Sequence, residues 1–100
     1  MNAEIAQGRA DSRIRLSLGR TVVTRGALED ITFPEMMKAL CRHATGDWGN
    51  VCEEDKATND MAVNNGYRIL SAYTTESGKK FWIITEADRS VTTVLLPEEY

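Results

Sequence analysis

Apolar positions in the last third of the chain fall into three short runs. These are Arg68-Ile69-Leu70-Ser71-Ala72-Tyr73-Thr74, Lys80-Phe81-Trp82-Ile83-Ile84-Thr85 and Val91-Thr92-Thr93-Val94-Leu95-Leu96. The runs are rich in β-branched and aromatic residues, and the breakers Glu76-Ser77-Gly78 and Ala87-Asp88-Arg89-Ser90 separate them. This is the pattern of a three-stranded antiparallel meander.

The first third alternates differently. Ile14, Leu16 and Leu18 fall on one side of the stretch 13–18, which predicts a half-buried strand. Thr21-Val22-Val23-Thr24 predicts a second short strand, or a continuation of the first past a bulge at Gly19-Arg20. Whether the first strand pairs beside the second or across the meander is open at this level.

Between the strands the period lengthens. Residues 25–31 form a short helix capped by Thr24. Thr32-Phe33-Pro34-Glu35 then fits a capping box, with Pro34 in the first turn and Ile31 and Met36 placed as a hydrophobic staple. That helix runs to about Ala44 with an apolar stripe of Phe33, Met36, Met37 and Leu40, and Gly46 stops it. Lys38, Arg42 and His43 sit toward the negative end of its dipole. A further helix spans about Glu53 to Asn64, with Glu53, Glu54 and Asp55 in its first turn, Ala57 and Met61 on a thin apolar side, and Asn64-Asn65-Gly66 at its end. The fold class is therefore α+β. A C-terminal antiparallel meander and one or two N-terminal strands carry two to three helices on one face.

One hundred residues make a single domain, here 1–100, with 1–11 frayed or weakly ordered. No apolar run approaches the roughly 18–20 residues of a membrane span. The N-terminus has neither a basic start nor an apolar stretch, so no secretion signal is expected. The expected location is the cytoplasm, where Cys41 and Cys52 stay reduced. The net charge of −3 is uneven: residues 1–25 carry +3 and residues 26–100 carry −6. An acidic body argues against direct contact with nucleic acid. The five arginines of the leading segment read as a charged, solvated strand rather than a nucleic-acid arm.

Candidate chemistry is sparse. Cys41, His43 and Cys52 match no zinc-ligand spacing, and a structural site needs four ligands. Cys41 and His43 lie two apart on a helix and face different ways, so they make no nucleophile–base pair. Phosphate-binding glycine loops, G-x-S-x-G and helical metal motifs are missing. The expectation is a protein with no catalytic residues, no metal and no cofactor. Two features suit partner binding instead. Trp48 stands on a loop between Gly46 and Gly49, either folded back on the core or held out as an anchor. Glu53, Glu54, Asp55 and Asp60 form an acidic set that suits a basic partner, and Asp47 adjoins the tryptophan.

Three strings carry a resemblance: Gly46-Asp47-Trp48-Gly49, Glu54-Asp55-Lys56 to Asn59-Asp60, and Trp82 to Pro97. They resemble a family of small bacterial proteins of plasmids and integrated elements labelled "plasmid-related protein". The resemblance covers roughly 16–100. Some members bear the label of a restriction-system methylation subunit. The chain contradicts that label, because Pro34 and Pro97 lie in no methyltransferase motif and the length is far too short. The family supplies no catalytic residues. Its setting on mobile elements resembles that of inhibitors of host defence, including anti-CRISPR proteins. The expected function is a non-catalytic protein-binding inhibitor of a large host nucleoprotein complex, contacting it through Asp47, Trp48, Glu53, Glu54 and Asp55. The alternatives are a DNA-associated regulatory or maintenance protein of the element, and a small toxin-like nuclease.

Overall fold

The computed structural model describes residues 13–100. The expectation for 1–11 and the first twelve residues of the basic leading segment, with Arg9 of its five arginines, lie outside the described residues. Strand β1 is Arg20–Val23 and helix α1 is Arg25–Asp30. Helices α2 (Phe33–Ala44) and α3 (Glu53–Asn65) follow, then strands β2 (Ile69–Thr74), β3 (Lys80–Thr85) and β4 (Val91–Leu95). A short 3-10 turn, Pro97–Glu99, comes last. The fold is α+β, as the alternation of periods indicates.

β2, β3 and β4 form the antiparallel meander, with Ser71 opposite Ile83 and Ile83 opposite Val94. The open question of the N-terminal strand has a definite answer. β1 lies parallel to β4 at the far edge, Val23 opposite Val94, giving the order β1-β4-β3-β2.

The strand expected over 13–18 does not form. Leu16 is buried and Leu18 half-buried, so that part of the alternation reports real burial, but Ile14 is exposed. The backbone bonds of the segment go to a helix end instead: the amides of Arg15 and Leu16 both donate to the Ala44 carbonyl, at 2.8 and 3.2 Å. They satisfy an acceptor that the last turn of α2 leaves unpaired.

Helix starts follow the sequence closely. Thr24 accepts from the Ala27 amide and Thr32 from the Glu35 amide, each at 3.3 Å. The Glu35 carboxylate takes the Thr32 hydroxyl at 3.0 Å and the Glu76 amide at 2.9 Å, so the cap also ties α2 to the β2–β3 turn.

The buried arcs of both long helices differ from expectation. On α2 the core side is Met36, Ala39, Leu40, His43 and Ala44, an i, i+3, i+4, i+7, i+8 stripe. Phe33 and Met37 point outward. The stripe turns about one residue from the expected position because a histidine fills an interior place. On α3 the buried residues are Asn59 and Ala62, while Ala57 and Met61 are exposed. Asn59 tolerates burial because its side-chain amide donates to the Leu70 carbonyl at 2.9 Å.

The helices pack against one sheet face. Ala27, Ile31, Met36, Ala39 and Leu40 meet Tyr73, Phe81, Ile83 and Val94 in one cluster. Leu16, Trp48 and Ala62 close on Ile69 in the other.

Candidate functional site

Trp48 folds back. It is 2% exposed, so its expected role as a protruding anchor is overturned. Its ring meets His43 edge-on at 5.7 Å, and its Nε1–H donates to Asp60 at 2.9 Å. Burial removes the apolar ring from water while the one polar atom keeps a partner. The backbone follows the ring inward: Ala72 donates to the Trp48 carbonyl at 3.2 Å and accepts from the Asn50 amide at 2.7 Å. Gly49 therefore joins the free edge of β2 as a one-residue parallel bridge opposite Ala72.

Asp47 is exposed but held. Arg42 binds it with two nitrogens, at 2.7 and 3.1 Å, and its Oδ1 also accepts from the Gly49 amide at 3.1 Å. The Arg42 hydrogen bond keeps the carboxyl below its ordinary range, with smaller help from Gly49. Arg42 itself lies over the Tyr73 ring, 4.8 Å from its centroid, and the Tyr73 hydroxyl donates to the Asp47 carbonyl at 2.7 Å. Glu53, Glu54 and Asp55 are exposed in the first turn of α3. Glu53 pairs with Lys56 at 3.3 Å, and the Lys56 charge is also felt at Asp47. The structure thus brings Asp47 and the first turn of α3 to one region of the surface, with Trp48 beneath it.

The constellation that sequence reasoning missed is internal. His43, Ser71, Thr85 and Thr92 are all wholly buried. Thr92 donates its hydroxyl hydrogen to the Leu18 carbonyl at 2.7 Å. A hydroxyl has one hydrogen, so the 2.7 Å bond between Thr85 and Thr92 must run from Thr85. Thr85 then has only a lone pair for His43 Nε2, 2.8 Å away, and Nε2 carries the proton. Burial, with the nearby Arg89 charge, pushes the His43 pKa down to about 4, so the ring is neutral. Its bare Nδ1 accepts from the Ser71 hydroxyl at 2.6 Å. Every hydrogen in the chain from Ser71 to Leu18 is directed, and the carbonyl at its end sets the direction. The sequence signal was available in part: His43 sits seven residues after Met36, on the core stripe of α2.

Ser71 and His43 have hydroxyl–imidazole spacing, yet neither meets solvent and both are saturated by the core. Cys41 and Cys52 are free and exposed. Among the described residues no three His, Cys, Asp or Glu side chains are grouped to hold a metal ion. Among the described residues no helix is long and apolar enough to cross a membrane. An open groove of about 580 Å³ runs between α2 and the end of β2, bordered by Thr32, Lys38, Arg42, Tyr73 and Thr74.

The sheet has a second face. Cross-strand register places Val22, Leu70, Trp82, Ile84, Thr93 and Leu95 there, opposite the helices. α3 borders this face along β2, and the C-terminal turn reaches across it. Tyr100 meets Trp82 edge-on at 5.7 Å, and its hydroxyl accepts from Arg68 at 2.7 Å.

Comparison with known proteins adds no relative: no family model, no curated protein and no solved structure matches the chain.

Proposed function

We propose that the chain is a non-catalytic, protein-binding inhibitor from a mobile genetic element. It acts on a host defence complex, most concretely a CRISPR effector, by occupying a cationic surface that otherwise holds nucleic acid. The observation that carries this reading is the acidic surface formed by Asp47, which is held in place, with the exposed Glu53, Glu54 and Asp55. Arg42, Tyr73 and the Gly49 amide hold Asp47 in place, and Trp48 pins the loop from below through His43, Asp60 and Ala72. A carboxylate fixed in advance, as Asp47 is, loses little side-chain freedom on meeting lysines and arginines, and the opposite charge of the exposed Glu53, Glu54 and Asp55 steers the encounter. The resemblance to proteins of plasmids and integrated elements supports the setting. The commitment of His43, Ser71, Thr85 and Thr92 to one another supports binding over catalysis.

The test is a titration of a purified effector complex with the whole protein and with Glu53→Lys, Glu54→Lys and Asp55→Lys combined. Inhibition of target DNA binding by the parent protein and its loss in the variant is the expected result. Equal inhibition by both would remove this surface, and no binding to any effector would remove the reading.

A further inference from the structure

The sheet face opposite the helices is left unused by the proposed function. Its centre is apolar and closed at Ile84 and Leu95, which are 2% and 5% exposed, while its aromatic pair is more open. Trp82 is half-buried in β3, and Tyr100 stands beside it, 67% exposed. Arg68 lies over the Tyr100 ring, 5.3 Å from the centroid. Its margin carries two exposed cations. Arg20, which pairs in register with Val91, and Lys80, two residues before Trp82, project from the same face and are exposed. Among the described residues neither has an ion-pair partner. Of the carboxylates around this face, Glu86 is engaged by Arg68 at 3.4 Å, Glu98 of the C-terminal turn by Lys79 at 3.8 Å, and Glu99 by the Thr24 hydroxyl and the Gly26 amide. Asp55 borders the small groove beside Arg68 and Leu70.

We propose that this face binds single-stranded nucleic acid, with bases on Trp82 and Tyr100 and phosphates at Arg20 and Lys80. Aromatic rings between separated cations are the two components that single-strand binding requires: π-faces for stacking and positive charge for the backbone. The geometry gives length as well. Register places Arg20 level with the end of β3, six residues along from Lys80, so the two cations lie roughly 20 Å apart in the strand direction at ~3.4 Å per residue. A strand crossing that distance passes over Trp82. The acidic balance of the chain does not forbid this, because exposed charges more than about 10 Å away are largely screened at ~0.1 M salt. A second copy stacked on the face would set cation against cation. This proposal goes beyond the inhibitor reading and rests on different residues, so each can fail without the other.

The experiment is fluorescence anisotropy of labelled oligo(dT) and oligo(U) with the full chain, between about 50 and about 200 mM salt. Binding is expected to weaken with salt at a log–log slope of about −1.4, the value for two phosphates on a single strand. Tyr100→Ala should weaken it about tenfold, the loss of one stacked base. Arg20→Glu with Lys80→Glu should abolish it at the higher salt. Lys38→Glu, on α2, should leave it unchanged. Thermal unfolding of each variant checks that the fold survives, and all four positions are exposed. The proposal is overturned by no binding at low salt, by duplex binding as tight as single-strand binding, or by equal losses at Lys38 and at Arg20 with Lys80. It is also overturned by a dimer in sedimentation that oligonucleotide does not dissociate.

Discussion

His43 Nδ1 lies 2.6 Å from Ser71 Oγ, with both side chains cut off from solvent. In an open cleft the pair would suggest a base and its nucleophile. Here the partner of the other ring nitrogen decides the matter. Nε2 donates to Thr85, whose own hydrogen goes to Thr92, so the ring is a link in a directed chain that joins α2 to β2, β3 and β4. The joint fixes how the helix sits on the sheet. It also fixes the Trp48 ring, which leans on His43.

Neutrality of this histidine makes stability depend on pH. The folded pKa is about 4 against roughly 6.5 in the unfolded chain. Between those values the unfolded state binds the extra proton. Stability therefore holds above pH ~6.5 and falls as pH drops toward ~4, by roughly 3 kcal/mol from this group alone. Urea unfolding at several pH values measures the slope. Nitrogen NMR of the ring should show a neutral Nε2–H tautomer at pH ~5. A ring that titrates near its ordinary value would contradict the buried, directed chain.

Removing one member of the chain orphans its neighbour. Thr85→Val keeps the shape but leaves Nε2–H without an acceptor and Thr92 without its donor. A loss of about 1–3 kcal/mol is expected. Ser71→Ala leaves only the bare Nδ1 and should cost less. A double-mutant cycle between the two, read by denaturant midpoints, should show coupling through the imidazole, because both bonds fix one ring. Strict additivity would mean that the ring is held by packing instead.

The difference between this chain and the rest of the fold shows what was legible in the sequence. The meander was readable because Ile69–Thr74, Lys80–Thr85 and Val91–Leu95 each match strand composition and the breakers between them suit tight turns. The caps at Thr24 and Thr32 were readable because capping chemistry is local. Tertiary pairing was not. His43 and Asn59 count as polar in any periodicity, yet each occupies a core position because a partner from a distant strand satisfies it. The same holds for 13–18, where the alternation of Leu16 and Leu18 is real but the hydrogen-bond partner is the end of α2. Of the candidate surface, the acidic residues could be placed from sequence. The fate of Trp48 depended on Asp60 and Ala72, twelve and twenty-four positions away along the chain.

Trp48 should therefore behave as a structural pin. Trp48→Phe retains a ring against His43 and loses the bond to Asp60, with an expected cost of about 1–2 kcal/mol. Trp48→Ala empties the space and should cost about 3–5 kcal/mol. Binding to a partner through Asp47 should weaken in proportion to the loosening of the loop, which amide exchange at Gly49 and Asn50 reports. Loss of binding by Trp48→Phe with unchanged exchange would mean that the ring itself meets the partner.

Two glycines with nearly the same φ separate conformational strain from steric approach. Gly49 has φ +75° and Gly66 has φ +72°. A Cβ at Gly66 would meet nothing within 4 Å, whereas one at Gly49 would run into the Ala72 carbonyl oxygen and the Tyr73 ring. Gly66→Ala should therefore cost only the left-handed conformation, about 1–2 kcal/mol. Gly49→Ala carries the same strain and must also push the 48–50 segment off β2. That would break the Asn50–Ala72 bond and free the Trp48 backbone. The expected result is a clearly larger loss of thermal stability for Gly49→Ala, with faster amide exchange at Asn50 and Ala72. Equal losses for the two variants would show that the bridge at the edge of β2 contributes nothing to holding the acidic surface in place.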